Sequence, residues 1–494
     1  MLLFAVVLVY TIYWTYFDNL LYSTYQATFY DIGLETYSTY WHLHGATSFS
    51  LFNAVQYLVF ANHISPFRLL LLPFFALYQY PITLIALQNI AIAATALLVY
   101  LASDLVLKEK NVSMALALAF LLNPGVSGML YFPIHSESFI PLFYILSFYF
   151  YTKVDRHLFL LSYGLLLCTM EEAPIVGASL LLGLFIFRAG SSIGKDTAKN
   201  SQVALLKLAS VMTLVAILAY FAIGNYLVSN YKSVSYADLP PIVRYGNFFS
   251  TGISLLTSPS SAYSPSLVYA EGLIGLGIIF LGFGFGSLRV PLVSIILFLP
   301  WLVSVFILHN PLIADYFAQY YAFVVGGSFV AALYGYKLMS KHSSTIRLWA
   351  ANIDLGSFSR STILPIAFAI AIPSALTLSV ITIANTTSYN YSQINNALSG
   401  IPQNSTIMSQ GNVLPHLYGI RLVEFPKNST ISDSPFVANG IALNWFSPQY
   451  IVVYTNTSAG KTDLGFDPKT LLSYVNSSYY VYYNESGLTI FKKH

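Results

Sequence analysis

Charge is what this chain has least of. Only 8% of its 494 residues are Asp, Glu, Lys or Arg, against about 25% in a soluble domain. Forty-one charged side chains cannot solvate the surface of a 54.7 kDa globule. That excludes a soluble enzyme and a disordered chain. A net charge of +3 is too small to imply a nucleic-acid partner. Cysteine is nearly absent. Cys168 stands alone, so no intrachain disulfide and no CxxC metal site can form. HExxH, a Walker loop and a dinucleotide fingerprint are missing as well. The run Gly282-Phe283-Gly284-Phe285-Gly286 imitates GxGxxG, but it lies in an apolar stretch where close helix packing is expected.

What remains is apolar. Hydrophobic residues make up 56% of the chain, and the mean hydropathy is +0.66, the composition of a polytopic helical membrane protein. A spanning helix needs about 20 apolar residues. Candidate spans are 2–17, 82–107, 112–130, 138–152, 158–170, 173–188, 203–227, 267–287, 290–308, 316–337 and 363–384, eleven in all. Residues 1–17 lack the basic start and small-residue cleavage site of a signal peptide, and are read as an uncleaved first span. The stretch 66–79 holds two prolines and Arg68, and is expected to be re-entrant or interfacial.

The basic residues orient this scheme. With the N-terminus in the cytoplasm, thirteen of the sixteen Lys and Arg residues before position 385 fall inside. Only Arg68, Lys232 and Arg244 fall outside, as the positive-inside rule requires. Residues 1–384 are thus read as the membrane domain, with a first outer loop at 18–65. Residues 385–494 are read as an extracytoplasmic domain. That tail carries seven N-x-Ser/Thr sequons, at Asn385, Asn390, Asn404, Asn428, Asn456, Asn476 and Asn484. They suggest an exported, N-glycosylated segment, although a polar Ser/Thr-rich segment without glycans would show the same counts. Residues 406–410, 450–455, 479–483 and 488–492 read as strands, with a hairpin turn at 484–487. Residues 391–398 and 469–477 read as short helices. The tail is expected to be a small α/β domain.

The same topology gathers the acid/base-capable groups on the outer face. The first outer loop contains Asp31, Glu35, His42, His44 and His63. Later outer turns carry His135 and Glu137, then Glu171 and Glu172, then Glu271, His309 and Asp315. Carboxylates and imidazoles on one face suit general-base chemistry or divalent-metal coordination. No other cofactor is implied. The ordinary reading competes at each position. His42 and His44 suit an interfacial helix, Asp31 suits a helix cap, and His135 with Glu137 suits a solvated turn. Glu171 and Glu172 are harder to dismiss, since adjacent acids between apolar helices repel unless solvated, protonated or paired.

The segments Tyr30-Asp31-Ile32-Gly33, Asn62-His63-Ile64-Ser65-Pro66, Phe132-Pro133-Ile134-His135-Ser136-Glu137 and Glu171-Glu172-Ala173-Pro174 come in that order. With Val413-Leu414-Pro415-His416-Leu417 in the tail, they resemble domain-of-unknown-function family 2079, polytopic membrane proteins of archaea and bacteria. Two departures stand out: Met170 occupies the place of that family's lysine, and Glu172 that of its aspartate.

The family is similar in layout to the GT-C glycosyltransferases, which use polyprenyl-phosphate sugar donors outside the cytoplasm. The resemblance implies a GT-C-like arrangement for the eleven or so transmembrane helices. It implies Asp31 as catalytic base, with His63, His135, Glu137, Glu171 and Glu172 lining the cavity and Arg68 meeting the donor phosphate. Membrane lipid and a polyprenyl-phosphate sugar are the partners it implies. Two other readings compete. A non-catalytic surface or assembly protein would give the work to the tail. A transporter or flippase would favour internal repeats and mid-membrane charges, and neither is evident. Dense sequons without cysteine pairs suit an archaeal plasma membrane.

Overall fold

The computed structural model describes residues 1–27, 32–44, 63–190, 196–230, 265–307, 319–341, 345–348, 351–354, 361–372, 391–403, 405–409, 412–419, 421–424, 448–454 and 478–494. The helices run α1 Leu2–Ser23, α2 Leu34–Leu43, α3 Leu72–Leu77, α4 Pro81–Leu107, α5 Lys110–Leu122 and α6 Pro124–Tyr131. They continue with α7 Ile140–Lys153, α8 Arg156–Leu167, α9 Ala173–Gly190, α10 Asp196–Asn230, α11 Pro265–Leu281, α12 Pro291–Leu302 and α13 Ala322–Lys341. Two shorter ones follow, α14 Ile363–Ile372 and α15 Tyr391–Ser399.

The protein is a helical membrane protein. Among the described residues, four helices are long and apolar enough to cross a bilayer: Leu2–Ser23, Pro81–Leu107, Asn200–Ile223 and Ala322–Met339. The pair α5–α6 adds a fifth if counted as one broken span. Proline opens several of these helices, at Pro81, Pro124 and Pro291, where its missing N–H costs nothing. The continuous apolar run 112–130 is in fact bent by 45°. The cause is local. Pro124 pushes Asn123 into extended geometry (φ −66, ψ 127), and the Asn123 side chain caps Gly125 N. Most remaining expected spans correspond to shorter apolar helices, such as Arg156–Leu167 and Tyr269–Leu281.

The glycine run at 282–286 packs closely on a helix, as expected, but it is not itself helical, and the span expected at 267–287 ends its helix at Leu281. The run forms a short extended segment, β1 Gly282–Phe285. A Cβ on Gly335 of α13 would collide with the Gly286 backbone, so the two segments touch main chain to main chain. Strands β2 Thr345–Leu348 and β3 Ala351–Asp354 form a separate hairpin.

The tail contains β4 Thr406–Ser409, β5 Arg421–Glu424, β6 Tyr450–Tyr454, β7 Tyr479–Glu485 and β8 Leu488–Lys493. They form one sheet in the order β5-β4-β6-β8-β7. β4 pairs in parallel with β5 and β6, and β8 runs antiparallel to both β6 and β7. The turn between β7 and β8 has φ 53 at Ser486 and φ 78 at Gly487. Two positive φ values are what a two-residue hairpin turn needs. Strands and turn stand where the alternation placed them, and α15 matches the helix expected at 391–398. β5 was not anticipated, and 469–477 lies outside the described residues. Of the seven sequons only Asn484 is described in the structure. It is exposed on β7, and its Oδ1 accepts from Thr489 Oγ1 at 3.1 Å.

This sheet docks on the C-terminal end of α1. Tyr25 and Tyr37 share one buried cluster with Ile394, Leu398, Ile407, Val452 and Ile490. Tyr25 Oη donates to Asn395 Oδ1 at 2.6 Å. The His416 ring stacks between Tyr22 and Tyr25, with centroids 4.3 and 3.9 Å away. Its Nε2 donates to the Tyr22 carbonyl at 3.0 Å. Burial pushes the His416 imidazole down to about 3, against the weaker upward pull of that hydrogen bond. The undocked form therefore binds more protons below pH 6.5. Docking is expected to weaken as pH falls from about 6.5 toward 3, by about 1.4 kcal/mol per pH unit. The thermal midpoint of purified protein should drop from pH 7 to pH 5. His416→Phe, which keeps the stacking, should remove most of that drop. Equal pH slopes in the two proteins would exclude His416 as its source.

Candidate functional site

Chain direction brings one set of helix ends together. α1, α6 and α8 end where α4, α7 and α9 begin, and the turns at this end carry the polar residues. His63, Ile64 and Ser65 precede a short 3₁₀ turn at Pro66–Leu70 that carries Arg68. Phe67 N donates to the Cys168 carbonyl at 2.9 Å. This bond ties the turn to the end of α8 and sets His63 opposite Glu171. Glu171 Oε1 meets His63 Nδ1 at 2.9 Å, and Oε2 accepts from Ile64 N at 2.8 Å.

The turn after α6 is held from below. Gln88, two turns into α4, donates to the Met129 and Phe132 carbonyls at 3.0 and 3.2 Å. Its Oε1 accepts from His135 N at 2.7 Å. Between these anchors Ile134 has φ 64, a left-handed conformation that a β-branched residue rarely adopts. Strain of this kind is tolerated where the surroundings over-determine it, often at functional sites. Its result is to turn His135 toward Glu137, with Nδ1 to Oε1 at 3.4 Å. Glu137 sits on the next 3₁₀ turn, Ser136–Phe139.

Arg68 links the parts. It is 2% exposed and forms an ion pair with Glu35 in the first turn of α2. Its Nε donates to Ser136 Oγ at 3.0 Å and its Nη1 to the His63 carbonyl at 3.5 Å. One guanidinium thus bridges the α2 helix, the His63 segment and the His135 turn.

Electrostatics follow from burial and proximity. Burial pushes the Glu35 carboxyl up, while Arg68, His135 and His63 pull it partly back. Burial lowers the His63 imidazole, but Glu171 in particular outweighs this and raises it to about 9. Burial would raise Glu137, but His135 and His63 hold it down to about 2. Glu172 is raised by burial and by the neighbouring Glu171 charge. The cluster thus keeps opposite charges interleaved and leaves one acid of the adjacent pair favouring its proton.

The structure therefore brings His63, Arg68, His135, Glu137, Glu171 and Glu172 into one site. Asp31 lies outside the described residues, as do His309 and Asp315. His42 and His44 are exposed on α2 and take no part. Glu35, counted among the outer-loop acids but given no role, and Gln88, which was not anticipated, also belong to the cluster. The available signal for Gln88 was a polar pair, Gln88-Asn89, inside an otherwise apolar span. Asn89 makes its own cross-helix bond, donating to Asp18 Oδ2 of α1 at 2.7 Å. Among the described residues, His63, Glu171 and Glu172 could hold a metal, since each offers a ligand atom within 4.8 Å of the others.

The family model for a predicted membrane protein, DUF2079, matches residues 18–490. The chain belongs to this family. The match covers the cluster and most of the tail sheet. No curated protein matches the sequence, so membership establishes a membrane protein and leaves its reaction open. Met170, just before the acid pair, is fully buried in the apolar core, and no charge enters the site from there.

Proposed function

We propose that this protein transfers a sugar from a polyprenyl-phosphate donor to an acceptor on the outer side of the membrane. The carrying observation is the buried cluster of carboxylates, imidazoles and Arg68 at one end of the helices. It is supported by where the fixed cations lie. Lys108 and Lys110 flank the α4–α5 turn, and Lys153 and Arg156 flank the α7–α8 turn. Both turns lie at the opposite helix ends from the cluster. By the positive-inside rule those turns face the cytoplasm, which leaves the cluster and the sheet outside. The eleven-span topology and a GT-C-like arrangement belong to this reading, as does an N-glycosylated tail at the plasma membrane.

Sugar transfer from a lipid phosphate needs a base for the acceptor hydroxyl and cationic groups for the leaving phosphate. Carboxylates and a guanidinium converge here. Asp31 is the proposed base, on the family resemblance. Arg68 is the proposed phosphate contact, and an arriving phosphate must join or displace Glu35 there. His135, Glu137 and the Glu171–His63 pair line the cavity.

The test is transfer itself. Purified protein in lipid vesicles is given a radiolabelled polyprenyl-phosphate sugar and a membrane extract as acceptor source. Label is expected in the acceptor fraction, and Asp31→Asn and His135→Ala are expected to slow its appearance. Undiminished transfer in both variants, or none from the wild type across the common donor sugars, would overturn the reading.

A further inference from the structure

We propose that His63, Glu171 and Glu172 form a binding site for a divalent transition-metal ion such as zinc or manganese. One imidazole and two carboxylates each present a ligand atom, all within 4.8 Å of one another. Metal–ligand bonds of about 2.1 Å put ligand atoms about 3–4 Å apart. Closing the site therefore takes side-chain movement on the order of an ångström and none of the backbone.

The backbone is already set. His63 and the two glutamates come from segments a hundred residues apart, yet the Phe67 N to Cys168 O bond pins one segment against the other. Glu171 is further aligned by Ile64 N. The ligands are held by main-chain contacts that do not depend on the ion.

Separate observations point to a cation. Glu137 is 0% exposed and faces the His135 imidazole at 3.4 Å, a long contact for a buried carboxylate. Glu172 Oε2 is buried and unpartnered, as is Ser65 Oγ next to the His63 segment. Buried polar oxygens without partners are costly, and a cation bound at Glu172 would satisfy the first of these and give the Ser65 hydroxyl a neighbouring ligand to support. Met170, beside the acid pair, supplies no charge. The guanidinium of Arg68 is directed to Glu35.

The ligand types choose among ions. An imidazole among carboxylates favours first-row transition metals over calcium or magnesium, which prefer all-oxygen sites. Three protein ligands leave a coordination position open. On the sugar-transfer reading, and resting on it, a donor phosphate oxygen would fill that position. Ion binding itself does not need that reading. Binding exchanges the proton on the coordinating nitrogen of His63, and any on Glu172, for the metal, so it releases protons.

The test uses full-length protein in detergent, carrying no oligohistidine tag. It is stripped with EDTA, loaded with Zn²⁺ or Mn²⁺, washed, and assayed by inductively coupled plasma mass spectrometry and thermal unfolding. The wild type is expected to retain about one ion per chain and to melt higher with the ion than in EDTA. Glu172→Gln and His63→Gln are expected to lose both effects. Glu485→Gln, on the exposed strand β7, is expected to keep them. Should the site variants fail to fold, wild-type retention and its melting shift decide the matter alone. A wild type that holds no more ion than its EDTA-stripped form, with no melting shift, overturns the proposal. Ion retention without sugar transfer would sink only the transfer reading, and absent ion retention with transfer intact would sink only the metal site.

Discussion

Arg68→Ala is expected to destabilise the protein by about 3–5 kcal/mol, the usual effect of removing one member of a buried ion pair. Arg68 and Glu35 are 2% and 5% exposed, so water cannot replace either partner. The substitution strands the Glu35 carboxylate and also removes the donor to Ser136 Oγ and to the His63 carbonyl. Glu35 can limit the loss by taking a proton, since burial already pushes its carboxyl upward. That places the expectation nearer the lower bound. The double variant Arg68→Met with Glu35→Leu should recover much of the loss, because the buried charges leave together. Denaturant or thermal unfolding in detergent reads both. A loss below about 1 kcal/mol for Arg68→Ala is the signature of a solvated surface pair, and would mean that Arg68 does not bridge the site.

The legible parts of this site share one property. His63, His135, Glu137, Glu171 and Glu172 all lie in turns between apolar runs, where an ionisable side chain stands out and the alternation of spans assigns it to one face. Glu35 was visible as a loop acid but not as a partner. Its role depends on a contact with Arg68 across 33 positions, which no local pattern encodes. The same holds for His416, whose binding slot is made by residues 394 and 391 positions away in sequence. Asp31, the base implied by resemblance, remains a matter for mutagenesis because it lies outside the described residues.

The fold divides along similar lines. The hairpin β7–β8 was readable because alternation and a turn sit within fifteen residues of each other. β5 has four residues with charged ends and is a strand only because β4 offers it an edge. The bend between α5 and α6 was written in Asn123-Pro124, but hydropathy averages over a proline and returns one continuous span. The break has a consequence for the site. It gives α6 a direction of its own, and the end of α6 delivers the turn that holds His135.

That delivery depends on Gln88, and Gln88→Leu provides a test of sign. Hydropathy alone expects the change to help: leucine is similar in size, and position 88 is fully buried in a long apolar helix. The gain from the added apolar surface is about 1–2 kcal/mol. The hydrogen-bond account points the other way. Gln88 satisfies the Met129 and Phe132 carbonyls, which lie at the end of α6 where no further helical turn can pair them. It also accepts from His135 N at 2.7 Å. Leucine leaves three backbone groups unpaired where water is scarce, at about 1–3 kcal/mol each. The three losses outweigh the gain, so a net destabilisation of about 2–4 kcal/mol is expected. Gln88→Glu keeps an acceptor for His135 N and, when protonated, one donor, so it should lose less. Unfolding midpoints in detergent are expected to fall in the order wild type, Gln88→Glu, Gln88→Leu. If Gln88→Leu melts at or above the wild type, the turn carrying His135 is held by something other than this side chain.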